Sequence, residues 1–349
     1  MIADNGIIIR NIYHMLAYAF RGLRHKSFER IASEKFDHME DLLAEILRLG
    51  IARQVKQGLH RDYLPHEEDL LTVKGKIQIA PTFRLRVNRR QQIHCSFDEL
   101  SVDHLFNRIL KSAGCALLES RKVKPPIAGG LRKVLRALSD VSRIDLGRVR
   151  WSSLQTGRQT QTYDLLLNIC RLIYLHCLPN EQKGRHRMEQ WNDETQLNLL
   201  YQRFLLNYFS EHRRDLHPRA AHINWDTEDE DSPNPQLPKM MADVILTGGK
   251  QTLIIDAKFY GSVFHRHYNN YRFHSGNLYQ IFTYVQNYKA QARGKEVSGM
   301  LLYARTQEEI VAQSRMRIHG NMISVLTLDL NCDFEMICRQ LDEIANSLY

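Results

Sequence analysis

Asp243, Asp256 and Lys258 lie in the segment DVILTGGKQTLIIDAK, two carboxylates and an amine around a glycine pair. Paired carboxylates hold divalent cations, and a cation beside an ammonium group suits water-driven cleavage of phosphodiesters. Gly248-Gly249 between two β-rich runs predicts a tight hairpin. With both glycines in the turn, Thr247 faces Lys250 and Asp243 faces Ile254. Side chains alternate along a strand, so Asp256 shares a face with Ile254, hence with Asp243, and Lys258 joins them. The two acids become diagonal neighbours about 7–8 Å apart at the backbone, within reach of one cation. Leu253, Ile254 and Ile255 make the strand apolar, so charge placed there needs a partner or a task. The hairpin taken alone is equally compatible with a structural ion pair from Lys258 to either aspartate.

The surrounding pattern supplies a scaffold. A helix is expected from Glu194 to Phe209, strands over 221–227, 241–246 and 252–259, a helix over 276–288, strands over 298–303 and 323–328, and a closing helix over 333–348. That order predicts an α/β domain, a mixed sheet flanked by helices. Gln280 and Tyr284, one helical turn apart, share a face. The acidic run from Glu228 to Asp231 reads as a solvated excursion. His265, Arg266, His267, Arg272 and His274, interleaved with Tyr268, Tyr271 and Phe273, follow the acidic strand and suit equally a grip on phosphate, stacking on an exposed base, or a mobile polar loop.

Asp243 followed at hairpin distance by Asp256-Ala257-Lys258 resembles the PD-(D/E)XK nuclease signature, and Gln280 with Tyr284 is similar to the Q-x-x-x-Y helix of its RecB-like branch. The segments RNIYHMLAYA (10–19), VKGKI (73–77), CSFDEL (95–100), NRILKS (107–112) and LLYQRFL (199–205) look like the McrC subunit of McrBC restriction systems, and the likeness spans nearly the whole chain. It implies a Mg²⁺-dependent DNA endonuclease subunit with Asp243 and Asp256 on the metal, Lys258 at the attacking water and Gln280 supporting the pocket. It further implies a hexameric McrB-like AAA+ GTPase as partner, whose GTPase the N-terminal part stimulates, and double-stranded DNA carrying modified cytosine such as 5-methylcytosine as substrate. The family pattern often has a glutamate on the first core helix; here Gln202 stands near that place and Glu194 lies about two turns earlier. A catalytically inactive activator of the ring and a stand-alone RecB-like repair nuclease are the alternatives.

The N-terminal half is expected to be a separate α+β domain, residues 1–180, docking to the ring, with the endonuclease domain over 181–349. The boundary is drawn at the polar, aperiodic stretch between Pro179 and Trp191. Helices are expected over Ile12 to Leu23, from Asp37 to Val55, over 130–138 and over 163–177. Between Asp62 and Phe97, Ile77, Ile79, Phe83, Leu85 and Val87 alternate with polar residues, predicting a β-ribbon with one basic side. Lys74, Lys76, Arg84, Arg86, Arg89 and Arg90 on that side are candidates for DNA phosphates, for the partner ring, or for plain solubility of an exposed sheet. Asp98, Glu99 and Asp103 form a second acidic group, read as the start of a helix over 102–118, where acids meet the positive end of the dipole.

Composition bounds the rest. The chain has 349 residues, enough for two cores, and a formal net charge of +9, which favours a polyanionic partner. Its six cysteines show no C-x₂₋₄-C spacing and read as reduced thiols. Neither a signal peptide nor an apolar run of about 20 residues is evident, so a cytoplasmic protein without membrane contact is expected. No G-x-x-x-x-G-K-[ST] loop occurs, so nucleotide hydrolysis is assigned to the partner.

Overall fold

The computed structural model describes residues 3–4, 7–20, 23, 28, 31, 36, 38–157, 161–177, 189–227, 236–259, 264–267, 270–292, 294–305 and 312–348. The acidic run 228–231 and Tyr268 fall outside them, as do the side chains of Glu194 and of residues 265–267, 271 and 272. In chain order the elements are β1 (Ala3–Asp4), β2 (Ile7–Ile8), α1 (Ile9–Ala19), α2 (Met39–Gln57), β3 (Asp62–Leu70), β4 (Lys76–Ile77), α3 (Ile79–Val87), β5 (Ile93–Ser101), α4 (Leu105–Glu119), α5 (Pro125–Leu135) and α6 (Gln161–Cys177). There follow α7 (Glu189–His212), β6 (Arg219–Ile223), β7 (Met240–Gly248), β8 (Gln251–Lys258), β9 (Phe264–His267), β10 (Asn270–Phe273), α8 (Ser275–Gln291), β11 (Glu296–Arg305), β12 (Gln313–Ile318), β13 (Asn321–Asp329) and α9 (Phe334–Asn346). Short 3₁₀ turns lie between α5 and α6 and before β6.

Contacts gather the chain into two units, Met1–Leu42 with Pro179–Tyr349, and Leu43–Leu178. The chain passes from one unit to the other after Leu42 and again after Leu178, so the first 42 residues lie with the last 171. The reason is side-chain chemistry far apart in sequence. Buried Asn11 donates through Nδ2 to the carbonyls of Leu330 (2.8 Å) and Cys332 (2.7 Å), and Tyr18 Oη lies 2.8 Å from His212 Nε2.

The larger unit is built on a six-stranded mixed sheet ordered β12-β13-β11-β8-β7-β6. β11 runs parallel to both β8 and β13, and the other pairings are antiparallel. Parallel neighbours need a crossover, which α8 supplies between β8 and β11. Ile245, Ile254, Leu301, Ile323 and Val325 line one face of the sheet and pack under Ile281, Tyr284 and Val285 of α8. Burying each such side chain stabilises the fold by about 1.5–3 kcal/mol. A Cβ on Gly299 would meet Ile281 and Val285 at 2.7 Å, so glycine there lets α8 lie close over β11.

The β7–β8 register is shifted from the expected one. Gly248 pairs with Gln251 and Val244 with Ile255, so the turn is Gly249-Lys250. Gly249 has φ +55°, the left-handed first turn position that favours glycine in a two-residue hairpin. Gly248 stays in the strand because Leu216 packs against it, a Cβ there meeting Leu216 Cδ2 at 2.8 Å. The shift is two residues, so every side chain keeps its predicted face.

The smaller unit holds a three-stranded antiparallel sheet ordered β3-β5-β4, most of α2, and helices α3, α4, α5 and α6. The basic β-ribbon is corrected here: residues 79–87 form helix α3, not strand. Pro81 decides it, since proline breaks a sheet ladder but costs nothing in the first turn of a helix, whose N–H groups have no partner there. Asp98 and Glu99, expected at a helix start, lie on β5; α4 begins after His104, whose Nδ1 accepts from Phe106 N–H. Strands β9, β10 and β12 were not expected. Among the described residues no helix is long and apolar enough to cross a membrane.

Candidate active site

The β7 and β8 strands bring Asp243, Asp256 and Lys258 to one face of the sheet, and α8 lays Gln280 over them. Asp243 Oδ2 accepts from Ala257 N–H at 2.8 Å, in the stretch just beyond the last paired residues of the hairpin. Lys258 Nζ lies 2.8 Å from Asp256 Oδ2 and donates to Gln280 Oε1 at 2.9 Å. Gln280 Nε2 in turn donates to Tyr284 Oη at 2.9 Å, so the two residues spaced one helical turn apart form a relay that fixes the lysine.

The site is buried and short of positive charge. Asp256 is 2% and Lys258 8% exposed. Burial is the largest cause raising the Asp243 carboxyl to about 7, and the neighbouring Asp256 adds to it; the Ala257 amide, Lys258 and Gln202 pull the other way without prevailing. Burial also raises Asp256, against the pull of Lys258. Asp256 Oδ2 has no donor in hydrogen-bonding alignment, although Lys258 Nζ is near enough for an ion pair. Two carboxylates against one ammonium leave a negative charge over, and a buried oxygen without an aligned donor sits within it. That donor set fits a hard divalent cation, which prefers a few carboxylate oxygens and water.

Helix α7 contributes residues whose functional place the sequence alone does not show. Gln202 acts on the Asp243 carboxyl, drawing its pKa down, so an amide and not a third acid occupies the place where the family pattern often has a glutamate. Asn198 Oδ1 accepts from Phe259 N–H at 2.9 Å, holding the chain just past Lys258. Asn198 and Gln202 are four apart on one helix face, a polar pair in an apolar run, and that spacing was the available signal. Asn277 Nδ2 donates to Tyr303 Oη at 2.8 Å, on the strand residue paired with Lys258.

The residues expected to meet DNA or a partner lie in the smaller unit. Lys74 sits 3.8 Å over the Phe97 ring and 3.8 Å from Glu99 Oε1, Lys76 is on β4, and Arg84 and Arg86 are on exposed α3. Arg89 and Arg90, also exposed, follow the helix in the turn that caps it. Ile79, Phe83 and Val87, at 82, 69 and 66% exposure, form an apolar stripe along α3 that the β reading hid. Of the second acidic group, Asp103 binds Arg108 through two 2.8 Å bonds and accepts from Ser142 N–H and Oγ. Its carboxyl is held down at about 2, chiefly by Arg108.

His60, Asp62 and His104 also converge in the smaller unit, their ligand atoms within 4.8 Å of one another. His104 Nδ1 is taken by the Phe106 amide, which leaves the ring proton on Nε2, 3.6 Å from Asp62 Oδ2. This group is accounted for as a helix cap and an acid–imidazole contact. Burial, followed by His60, lowers the His104 pKa. Asn107, whose role the sequence did not disclose, is fully buried: its amide donates to the carbonyls of His60 and Val102 and accepts from Tyr163 Oη, tying the β3 approach to α4 and α6.

Fold and site together define an α/β protein with a buried centre of two carboxylates and a lysine. The family profile described as McrBC 5-methylcytosine restriction system component matches residues 4–304. The type IV methyl-directed restriction enzyme EcoKMcrBC of Escherichia coli (strain K12) is 30% identical over 341 residues, 97% of each chain. The chain therefore belongs to the McrBC 5-methylcytosine restriction system component family. Among solved structures, a refined half-complex from a tetradecameric assembly of Thermococcus gammatolerans McrB AAA+ hexamers with bound McrC matches with TM-score 0.52 at 15% identity, covering 96% of this chain and 76% of that one. That likeness concerns the fold. A cryo-EM structure of the Thermococcus gammatolerans McrBC complex matches at TM-score 0.42 and 15% identity, over 58% of this chain and 57% of that one.

Proposed function

We propose that this chain is the nuclease subunit of a modification-dependent restriction complex, with a PD-(D/E)XK site that cleaves phosphodiesters of double-stranded DNA carrying modified cytosine. The observation that carries the reading is the charge imbalance at Asp243, Asp256 and Lys258, buried on one sheet face and braced by Gln280. Asp243 and Asp256 would hold Mg²⁺, which supplies Lewis-acid polarisation of the phosphate and a water acidic enough to attack at neutral pH. Lys258 Nζ, fixed between Asp256 and Gln280, adds positive charge where negative charge develops on the phosphoryl oxygens. Gln202 and the Ala257 amide orient Asp243, and Asn198 holds the backbone beyond Lys258.

The partner in this reading is an McrB-like AAA+ GTPase hexamer, in keeping with the family and with the assembly in which the McrC of T. gammatolerans was solved. The 1–180 region is the docking part in this reading, and the stretch from Lys74 to Arg90 is its candidate interface. It combines Lys74, Lys76, Arg84, Arg86, Arg89 and Arg90 with the exposed apolar stripe of α3. Replacing Arg84 and Arg86 by Glu should weaken stimulation of the partner's GTPase; unchanged stimulation would remove this segment from the interface.

The deciding experiment is Mg²⁺-dependent digestion of modified and unmodified duplex, with and without the ring GTPase and GTP, comparing the unaltered chain with Asp256→Asn. Loss of cleavage with GTPase stimulation retained supports the nuclease. Cleavage unaffected by the substitution rejects this site.

A further inference from the structure

A second charged feature lies in the same unit, at the end of the sheet remote from the carboxylates. A cavity of about 440 Å³ opens where β8 and β11 begin and β12 turns into β13. Lys289, Lys295, Arg315 and Arg317 line it against a single acid, Glu296. Lys295, Arg315 and Arg317 make no ion pair among the described residues. Four cations around one carboxylate leave the cavity strongly positive, the reverse of the Asp243–Asp256 centre.

Asn321, also in the lining, adds a directional requirement. It is 2% exposed, and its Oδ1 accepts from Lys289 Nζ at 2.9 Å. An ammonium can only donate, so the amide oxygen must face Lys289 and the orientation of the group is settled by chemistry. Nδ2 is then the atom left over, and it is buried with no acceptor. An unmet buried donor costs about 1–3 kcal/mol, so a position that keeps one beside Lys289, in the lining of a cavity that also holds Lys295, Arg315 and Arg317, calls for an acceptor carrying negative charge.

We propose that this cavity binds a phosphate group, with Asn321 Nδ2 donating to a phosphoryl oxygen and the lysines and arginines neutralising its charge. Arginine's planar fork and the number of donors suit an oxyanion with several acceptor oxygens. The site is distinct from the candidate catalytic centre. Gln251 and Leu253 line the cavity, and Leu253 faces away from the sheet side that carries Ile254 and Asp256. Along β8, Gln251 stands about 17 Å from Asp256 at roughly 3.3 Å per residue. Arg315 and Arg317 project from one face of β12, the outermost strand, where a polymer backbone can lie along the sheet edge while one phosphate enters the cavity. The DNA backbone is therefore the favoured source, a choice that rests on the nuclease reading, whereas the phosphate site itself does not.

The test uses the full-length chain in EDTA, where no cleavage occurs. Inorganic phosphate binding is followed by calorimetry, and duplex binding by fluorescence anisotropy across a salt series, for the unaltered chain, Asn321→Asp and the exposed double variant Arg315→Ala/Arg317→Ala. Phosphate binding should be abolished in Asn321→Asp. The double variant should bind duplex at least fivefold more weakly and with a log K against log salt slope shallower by about 1–2, near 0.9 for each phosphate the arginines no longer neutralise. Phosphate binding that both variants abolish, with duplex affinity untouched, also supports the site and assigns it to free phosphate or a nucleotide. No difference among the proteins in either ligand overturns the proposal and leaves Asn321 to water. Should Asn321→Asp fail to fold, as circular dichroism would show, the arginine pair decides. Asp256→Asn must keep phosphate binding, so failure here and failure of the nuclease reading are separate results.

Discussion

Two acidic groups in this protein look alike in sequence and behave oppositely in the structure. Asp103 of the smaller unit meets the Arg108 guanidinium and Ser142 on both its oxygens, and its carboxyl is held at about 2. Asp243 of the larger unit is buried beside Asp256 with one lysine for two acids, and its carboxyl rises to about 7. Clustering of acids does not mark a site; an unbalanced, incompletely paired buried charge does. Asp103 is complete without a ligand and serves the fold, whereas the Asp243–Asp256 pair is a reason to bind a cation.

The comparison can be broken most directly at the carboxylates. Asp256→Asn should reduce Mg²⁺-dependent cleavage by at least about 10³-fold while leaving the protein folded. Asp103→Asn should leave cleavage within about twofold and instead lower unfolding free energy by about 1–3 kcal/mol, toward the low end because the pair is partly exposed. Reversal of those two outcomes in digestion and denaturant assays would end the distinction. Lys258→Met should cost about 10²–10³-fold in cleavage rate with little change in duplex binding. Gln280→Ala, which removes the acceptor of the Lys258 ammonium, should cost about 10–100-fold and shift the pH profile, and Gln280→Glu should not restore it because a third acid deepens the imbalance.

The smallest effects are in stability against pH, and they have opposite signs. Asp243 has a folded pKa raised from 3.8 to about 7, so the folded state holds its proton more tightly than the unfolded one. Its contribution is full below pH 3.8 and is lost as pH rises toward 7, so the metal-free protein in EDTA should melt lower at pH 7.5 than at pH 5. Mg²⁺ should raise the melting temperature more at pH 7.5 than at pH 5, and Asp243→Asn should flatten both trends. Asp103 has a folded pKa lowered from 3.8 to about 2; its contribution is present above 3.8 and is lost as pH falls toward 2, on the acid limb that Asp103→Asn should remove.

Much of the larger unit could be read along the chain because its signals are local. The order of helices and strands around the hairpin follows from period-2 and period-3.6 patterning, and the shared face of Asp243, Asp256 and Lys258 from alternation. The register could not be read, because the choice of turn glycine depends on Leu216 packing against Gly248. In the smaller unit, Ile79, Phe83 and Val87 fit both an alternating and a helical spacing, and Pro81 is the residue that favours the helix. Strand β12 went unseen because an edge strand with Arg315 and Arg317 on one side has a weak apolar signature.

The sequence by itself determined which side chains share a strand face, which share a helix face, and the family to which they point, since these follow from periods of the backbone and from residue identity. Tertiary structure decided what each charge meets. It placed Gln202 on Asp243, satisfied Asp103 with Arg108 and Ser142, drew the first 42 residues to the unit of the last 171, and left Asn321 Nδ2 without an acceptor. The division is physical: local geometry is written in neighbouring residues, whereas burial and counter-charge are properties of groups that meet only after the chain has folded.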